Sequence, residues 1–381
     1  MDTIEKLQLL GPAAMFEPAE DVGLLGHRLP APPTSRDLTH CIAQATLPGG
    51  RRVPMLKTLV SSVCENDCRY CAFRAGRDTQ RATFSPDELA GLSFRMWQQG
   101  LVEGIFLSSG VAGGGPRTQD RIIATAEILR RTYHFPGFLH LKLMPGAERD
   151  QVAETMRWAD RVSLNLEAPN ARRLGELAPR KEFSSELLQR LRWAHELRQV
   201  GWGRRPSLTT QFVVGAVGES DVELLVTSAY LYRELGLART YFSGFSPVAQ
   251  TPLEEHPAID LQREHRLYQA SFLLRDYGFD VEELPFEGDG NLPLATDPKL
   301  AWAGQHLREA PVELNTAERS QLLRIPGIGP KSADRILRAR RQGRLRDLQH
   351  LRQLGIAVKR LAPFVLLDGH QAPQQLSLPI L

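Results

Sequence analysis

The amino-acid sequence predicts an α/β protein built as an incomplete (β/α)6 barrel, followed by a small all-α domain. From about Val53 onward, strand-like and helix-like segments alternate in six successive units, which is typical of a parallel sheet covered by helices. Two of the strand-like segments carry polar residues on one face, which indicates a polar interior. From about Glu313 the sequence becomes strongly basic, which marks a separate C-terminal domain.

Hydrophobic patterns and helix-start signals place each unit. Ser85, Pro86 and Glu88 form a capping-box pattern with proline at the first helical position. The predicted strands cover residues 57–63, 104–109, 138–143, 161–167, 208–215 and 239–245. The predicted helices are the one that begins at Ser85 and those at residues 117–132, 149–159, 184–200, 221–234 and 261–277. The predicted domains are an N-terminal extension (1–52), the barrel (53–290), a connector (291–312), the basic domain (313–371) and a tail (372–381).

Composition excludes several classes of protein. The chain has 381 residues, of which 42% are hydrophobic and 24% charged, as in ordinary globular proteins. No apolar run approaches the roughly 18 residues that a membrane span needs, and no signal peptide follows Met1. Four cysteines are too few for a disulfide scaffold of this length. We therefore expect a cytoplasmic protein that makes no membrane contact.

The third and fourth predicted strands show where the polar interior should lie. His140 and Lys142 share one face of the third strand, and Ser163, Asn165 and Glu167 share one face of the fourth, with leucines on the opposite faces. Outer helices would cover the leucines, so the polar faces should line the inside of the barrel, with chemistry at the carboxyl ends of the strands. An antiparallel sheet with one wet face is the alternative, and the intervening helices disfavour it.

Three cysteines lie on one short segment after the first predicted strand of the barrel. Cys64, Cys68 and Cys71 form the pattern C-x3-C-x-Y-C. Three thiolates on one loop can bind three irons of a [4Fe–4S] cluster and leave the fourth iron open to a small ligand. Zinc is a weaker alternative because it takes a fourth ligand and usually C-x2-C spacing. The remaining cysteine, Cys41, is expected to be a small buried hydrophobic residue, or alternatively a hydrogen donor to a substrate radical.

The cysteine pattern resembles that of the radical S-adenosylmethionine (radical SAM) enzymes. The resemblance implies a [4Fe–4S] cluster, S-adenosylmethionine as cofactor, reductive cleavage to a 5′-deoxyadenosyl radical, and an electron donor such as flavodoxin or ferredoxin. It implies cofactor contacts from Tyr70, Ser108, Ser109, Gly110, Asn165, Glu167, Val214, Gly215, Glu219 and Pro247. The catalytic residues stay open, with Lys142, Tyr241 and Cys41 as candidates. Because no cysteine follows Cys71, we expect no auxiliary cluster, which disfavours radical methylthiotransferases and radical RNA methylases.

The basic C-terminal region contains a pattern that binds phosphates in other proteins. Residues 313–381 hold 12 Lys and Arg against 5 Asp and Glu, a net charge of +7, whereas the rest of the chain carries −4. Residues 323–333 resemble the helix-hairpin-helix motif, whose two glycines allow a tight turn and whose second helix offers free N–H groups to an anion. A degenerate second copy covers residues 354–360. The expected DNA-binding residues are Gly327, Gly329, Lys331, Ser332, Arg335, Arg338, Lys359 and Arg360.

Such a grip holds the phosphate backbone without reading sequence. The alternatives are a solvated basic helix face or a hairpin domain used for protein contact. At the end of the chain, residues 375–380 resemble the hexapeptide with which bacterial replication and repair proteins bind the sliding clamp. The expected clamp-binding residues are Gln375, Leu376, Leu378 and Ile380, and the alternative is a tail that packs on its own domain.

Nearly the whole chain resembles a family of radical SAM proteins assigned to DNA modification or repair and associated with uracil-DNA-glycosylase-like partners. The resemblance is carried by residues 81–84, 107–111, 264–270, 297–303 and 325–329. It implies a radical SAM enzyme that modifies or repairs a nucleotide in DNA. Two alternatives remain: a radical SAM enzyme that modifies RNA, and a non-catalytic DNA-binding iron–sulfur protein that serves a repair complex as a redox partner.

Overall fold

A computed structural model describes residues 1–14, 41–46 and 51–371 of the chain. These residues divide into two compact units. The first takes in Met1–Glu219 and Tyr230–Glu264, and the second takes in Ser220–Ala229 and the chain from His265 onward. The domain boundaries expected from composition, at residues 290 and 313, remain predictions beside this division.

In the part of the chain that the structure describes, the first unit is built on one curled sheet of seven strands. The strands are β1 (Ile42–Thr46), β2 (Arg52–Leu59), β3 (Gly104–Ser108), β4 (Phe138–Lys142), β5 (Arg161–Ser163), β6 (Ser207–Val214) and β7 (Arg239–Gly244). They lie in sequence order, with β1 antiparallel to β2 and every later pair parallel. The sheet forms a half-barrel, which confirms the fold class expected from the sequence.

Helices alternate with these strands. They are α1 (Thr3–Ala13), α2 (Pro86–Gln98), α3 (Gly115–Glu127), α4 (Arg149–Trp158), α5 (Ala171–Leu177), α6 (Gln189–Gln199), α7 (Asp221–Glu234) and α8 (Leu261–Asp276), and the last two contribute residues to both units. Two π-helical segments, Ile128–Thr132 and Phe183–Leu188, adjoin α3 and α6. Among the described residues, no helix combines the length and apolar character needed to cross a bilayer.

Local signals explain the bounds of several elements. Helix α2 begins as expected, because the Ser85 side chain accepts from the Glu88 N–H and the Glu88 carboxylate accepts from the Ser85 N–H. Helix α1 and strand β1 lie in the segment expected to be an N-terminal extension. Asp2 and Glu5 form a second capping box at α1, a signal that the sequence already contained. Strand β1 is too short and too polar to stand out by periodicity.

The register of the parallel strands turns polar side chains inward. His140 pairs with Arg161, and Lys142 pairs with Ser163, across β4 and β5. The His140 ring shares a hydrogen bond of 2.8 Å with the Ser163 hydroxyl, and both residues are buried. Burial and the nearby charges of Arg161 and Lys142 hold the pKa of His140 well below its ordinary value, so the imidazole is neutral. The interior of the half-barrel is therefore polar, and Leu139 and Leu141 face the opposite way.

The second unit contains both predicted copies of the helix-hairpin-helix motif. Residues 323–333 are the first hairpin, and residues 354–360 are the second. The further helices of this unit are α9 (Pro298–His306), α10 (Arg319–Arg324), α11 (Pro330–Ala339) and α12 (Leu348–Gln353), with 3-10 turns at Val281–Glu283 and Ala362–Phe364. A small three-stranded sheet, β8 (Val312–Glu313), β9 (Val365–Leu367) and β10 (His370–Gln371), adds to a region expected to be helical throughout. Leu322, Ile325, Ile328, Ile336 and Leu351 belong to its buried core.

A buried lysine supports the first hairpin from within this core. The Lys299 ammonium donates to the Ile328 carbonyl and lies 4.6 Å from the centre of the Tyr277 ring. Burial lowers the pKa of Lys299 to about 7, and the guanidinium groups of Arg360 and Arg324 act in the same direction. Lys299 therefore titrates near neutral pH in the folded chain.

This depressed pKa predicts a rise in stability with pH. Because the pKa falls from 10.5 to about 7 on folding, the unfolded chain binds more protons between these values. The free energy of unfolding should therefore increase as pH rises through that range. We expect the variant Lys299→Met to lack this increase in urea unfolding of the full chain. Lys359→Met, which removes an exposed lysine, should keep it, and parallel curves for all three proteins would contradict the prediction.

Candidate active site

The cysteine loop begins where β2 ends and is fixed by backbone and arginine contacts. The Glu65 N–H donates to the Val111 carbonyl over 2.9 Å, which ties the loop to the segment after β3. The Arg81 side chain also binds the loop through several of its carbonyls. Its guanidinium donates to the carbonyls of Ser62, Phe73, Arg74 and Arg77 at 2.6, 2.9, 3.1 and 3.2 Å. Four donated hydrogen bonds from one side chain hold both ends of the loop together.

Cys64, Cys68 and Cys71 line one cavity at the carboxyl ends of the strands. Its space amounts to about 790 Å³ when the open mouth is included. The other residues that line the cavity are Leu59, Asn66, Tyr70, Phe73, Ser109, Gly110, Val111, Lys142, Leu143, Met144, Pro145, Leu164, Asn165, Glu167, Lys181 and Gln211.

The chemistry of these donors fits an iron–sulfur cluster. In the part of the chain that the structure describes, no group of three or more His, Cys, Asp or Glu side chains could hold a single metal ion. A [4Fe–4S] cluster needs no such group, because it takes one thiolate on each of several irons. Burial raises the pKa of Cys71 to about 12 and also raises that of Cys68, so iron would replace protons on these thiols. Three thiols around one cavity suit the cluster.

A buried ion pair lies in the same cavity. The Lys181 ammonium is 2.9 Å from Glu167 Oε1, and the two side chains are only 9% and 4% exposed. Burial works to raise the pKa of Glu167, but the charges of Lys181 and Lys142 hold it below its ordinary value. Burial works to lower the pKa of Lys181, and the charges of Cys68 and Glu167 outweigh it, so the pKa is raised. Both groups are therefore ionised.

Glu167 shows two further signs of a functional position. Its backbone has φ of 66°, in the left-handed region that glutamate rarely adopts. Its second carboxylate oxygen, Oε2, is buried and has no hydrogen-bond partner. Tyr70 lies beside this carboxylate, and burial together with the Glu167 charge raises the pKa of Tyr70 well above its ordinary value. An unmet acceptor in a cavity is what a bound hydroxyl or amine would satisfy.

The structure brings part of the expected cofactor-binding set together. Tyr70, Ser109, Gly110, Asn165 and Glu167 all line the cavity. Glycine is required at position 110, because a Cβ there would lie 2.4 Å from the Val63 carbonyl oxygen. The Asn165 amide donates to Gln211 Oε1 over 3.2 Å, which orients both side chains at the cavity wall.

Other expected contacts lie outside the cavity lining. Ser108 is fully buried in β3, and Val214, Gly215 and Pro247 do not line the cavity. The Glu219 carboxylate accepts from the N–H groups of Gly215 and Val217, and Arg263 lies 3.8 Å away. The Glu219 carboxylate therefore stabilises the loop of residues 215–219 to which it belongs. Its contact with a cofactor stays a prediction.

The three catalytic candidates occupy different places. Lys142 lines the cavity, whereas Tyr241 is buried in β7 outside its lining. Cys41 packs against α1: its thiol lies 3.6 Å from the Leu7 carbonyl, and a Cβ added at Gly11 would lie 2.1 Å from its Sγ. That close packing favours the small-hydrophobe interpretation of Cys41.

The first hairpin places a glycine turn immediately before helix α11. Gly327 has φ of 84°, and Gly329 caps α11 without a side-chain hydrogen bond, so the first N–H groups of α11 are not covered by a capping side chain. Lys331 is exposed in the first turn. The second hairpin turns at Gly355, with φ of 69°, and is followed by turns instead of a full helix.

Several of the expected DNA-binding residues hold the hairpins as well. The Arg335 guanidinium donates to the Leu354 carbonyl over 3.1 Å, which links the hairpins. Arg360 pairs with Asp297, and Arg338 donates to the Asp334 carbonyl. Lys331 and Lys359 are exposed, and Ser332 is half-buried. The clamp-binding residues Gln375, Leu376, Leu378 and Ile380 lie outside the described residues.

Comparison with known proteins agrees with this geometry. Residues 58–231 match the radical SAM superfamily. The chain contains a radical SAM domain. This domain supports a radical SAM enzyme that uses a [4Fe–4S] cluster and S-adenosylmethionine. Residues 308–366 match the helix-hairpin-helix motif. No curated protein matches the chain.

Several solved structures are similar to the chain. Methylornithine synthase (PylB) is 15% identical, with 57% of this chain and 60% of that chain covered and a TM-score of 0.46. The [FeFe]-hydrogenase maturase HydG from Carboxydothermus hydrogenoformans is 15% identical, with 57% and 50% covered and a TM-score of 0.44. A radical SAM methyltransferase from Sphaerobacter thermophilus is 16% identical, with 61% and 70% covered and a TM-score of 0.44. The chain thus spans 60% or less of the length of the first two proteins.

Sequence reasoning missed three residues of the site. Gln211 lies on the inward face of β6, and the same alternation that singled out Glu167 would have found it. Arg81 belongs to a segment that carried the family resemblance, but nothing in the pattern indicated its grip on the loop. Lys181 lies between α5 and the Phe183–Leu188 segment and has no periodic signal.

Substitution can distinguish the cysteines predicted to bind the cluster from Cys41, which packs against α1. We expect Cys68→Ala to lose the cluster, measured as iron content and visible absorbance after anaerobic reconstitution, because it removes one of three thiolate ligands. Cys41→Ala is the matched control and should load normally, since Cys41 packs against α1. Equal loading of both variants would contradict the assignment of the ligands.

Proposed function

We propose that this radical SAM enzyme acts on DNA in the cytoplasm, where it modifies or repairs a nucleotide. The observation that carries the proposal is the presence, in one chain, of a radical SAM domain and a unit with a helix-hairpin-helix motif. That motif supplies backbone N–H groups to phosphates, so it supports a nucleic-acid substrate over a small molecule. The resemblance of nearly the whole chain to DNA-directed radical SAM proteins favours DNA.

We expect the residues of the cavity to have different roles in binding the cluster and the cofactor. Cys64, Cys68 and Cys71 would hold the cluster. When bound, the cluster and S-adenosylmethionine supply a carbon-centred radical that abstracts a hydrogen atom from the substrate. Glu167 offers its unmet oxygen, Oε2, to the bound cofactor, and Asn165 is oriented beside it by Gln211. Tyr70 forms part of the cavity wall next to the Glu167 carboxylate.

The hairpins would hold the DNA backbone. The first N–H groups of α11 and the ammonium of Lys331 would bind one phosphate region, and Lys359 would add charge from the second hairpin. Ser332 and Arg338 lie on the same helix. Contacts of this type give affinity that is independent of sequence and strongly dependent on salt.

Protein partners form the third part of the proposal. We infer that a low-potential donor such as flavodoxin or ferredoxin reduces the cluster and that a uracil-DNA-glycosylase-like protein works beside the enzyme. The sequence of residues 375–380 supports docking on the sliding clamp. Deletion of residues 375–381 should then abolish retention by immobilised clamp while DNA binding continues.

The enzymatic part can be tested by product analysis. With the reconstituted protein, dithionite and S-adenosylmethionine, we expect 5′-deoxyadenosine by liquid chromatography and mass spectrometry. Cys68→Ala should yield none, because it removes a cluster ligand. The absence of product from a fully loaded wild-type sample would overturn the proposed cleavage. Adding duplexes with defined lesions, and following loss of the lesion, then tests the substrate.

The nucleic-acid part can be tested by the salt dependence of binding. Lys331→Glu should weaken binding to a DNA duplex and lower the slope of log affinity against log salt by about 1, the change expected for one lost phosphate contact. Arg308→Glu reverses a charge on an exposed residue of the same unit and should leave the slope unchanged. Equal slopes for both variants would contradict the hairpin grip. Tighter binding to a structured RNA at the same salt would favour the RNA alternative.

A further inference from the structure

A buried cation lies beside the cysteine loop, in a segment that neither motif nor periodicity marked. The segment from Leu177 to Lys181 contacts the loop directly, since the Arg69 N–H donates to the Leu177 carbonyl over 2.9 Å. A backbone hydrogen bond from the Lys181 N–H to the Ala178 carbonyl fixes the turn that presents the lysine. Lys181 therefore belongs to the wall that the loop itself forms, although it is far from the loop in sequence.

The ammonium is held in place by the fold. Its ion pair with Glu167 spans 2.9 Å, and both side chains line the cavity. A lysine only 9% exposed loses most of its hydration, so its position reflects its neighbours and not solvent. Removal of either partner would leave the other charge buried and less well compensated.

The charge of Lys181 reaches the thiols. Lys181 lines the same cavity as Cys64, Cys68 and Cys71, and its positive charge works to lower the pKa of Cys68 and of Cys71. A positive charge on this wall favours the more negative form of the groups that line the cavity. Inside a protein, where screening by water is weak, such a charge strongly affects the energy of a nearby group that gains an electron.

We propose that Lys181 is a positioning residue that raises the reduction potential of the cluster held by Cys64, Cys68 and Cys71. Reduction adds one electron, taken from a one-electron donor, and makes the cluster more negative by one charge. No bond forms or breaks in this step, and Lys181 keeps its proton. Because the buried ammonium stabilises the more negative state, the potential is higher than it would be without it. The proposal concerns the radical SAM domain alone and does not depend on DNA as substrate.

The experiment is a redox titration of the reconstituted full chain, followed by electron paramagnetic resonance, with neither S-adenosylmethionine nor nucleic acid present. Lys181→Gln keeps all three cysteines, so we expect the cluster to load and its midpoint potential to become more negative. Lys181→Arg keeps the charge and should restore a potential close to that of the wild type. Lys6→Gln is the matched control, because it removes a lysine from another ion pair of the same unit.

A second variant tests the sign of the effect even where Lys181→Gln does not load. Glu167→Gln removes the negative partner and leaves the charge of Lys181 less compensated, so its midpoint potential should become more positive. Opposite shifts in the Lys181→Gln and Glu167→Gln variants support the proposal. A Lys181→Gln potential equal to that of Lys6→Gln, or a Glu167→Gln potential unchanged or more negative, overturns it. The midpoint potentials are measured without turnover. Failure of the proposed DNA reaction would therefore not affect the conclusion about Lys181.

Discussion

The site depends on the register of a parallel sheet. In such a sheet every strand ends at the same rim, so residues that are far apart in sequence meet there. The cysteine loop follows β2, Gly110 follows β3, Lys142 ends β4 and Gln211 lies on β6, and all of them line one cavity. A slip of one residue between β4 and β5 would turn the polar side chains toward the outer helices and bury leucines inside. The chemistry thus rests on the pairing of Lys142 with Ser163.

The facing of β4, the start of α2 and the cysteine loop could be predicted from the sequence, because each depends on residues close together in the chain. The alternation of His140 and Lys142 with leucines fixed the direction in which β4 faces, and the capping box at Ser85 fixed the start of α2. The spacing of Cys64, Cys68 and Cys71 indicated the cofactor, since it reflects the geometry of one loop around one cluster. In each case a short stretch of chain carries the whole signal.

The remainder could not be predicted because it depends on contacts between distant segments. Strand β5 ends at Ser163 and not at Glu167, and Glu167 makes only a single bridge to Phe212. No pattern around Lys181 shows that it reaches Glu167, and no pattern around Arg81 shows which carbonyls it binds. Glu219 had the right neighbours in sequence, yet its carboxylate turns back to its own loop.

The hydrogen bonds from Arg81 to four carbonyls bear on how the cysteine loop would receive a cluster. A loop held by its own side chain needs little rearrangement when iron arrives, so the three thiols are available together and not one after another. Cluster binding would then require less ordering of the chain. The shape of the cysteine loop therefore depends on hydrogen bonds within the chain, and Arg81 is the side chain that donates four of them.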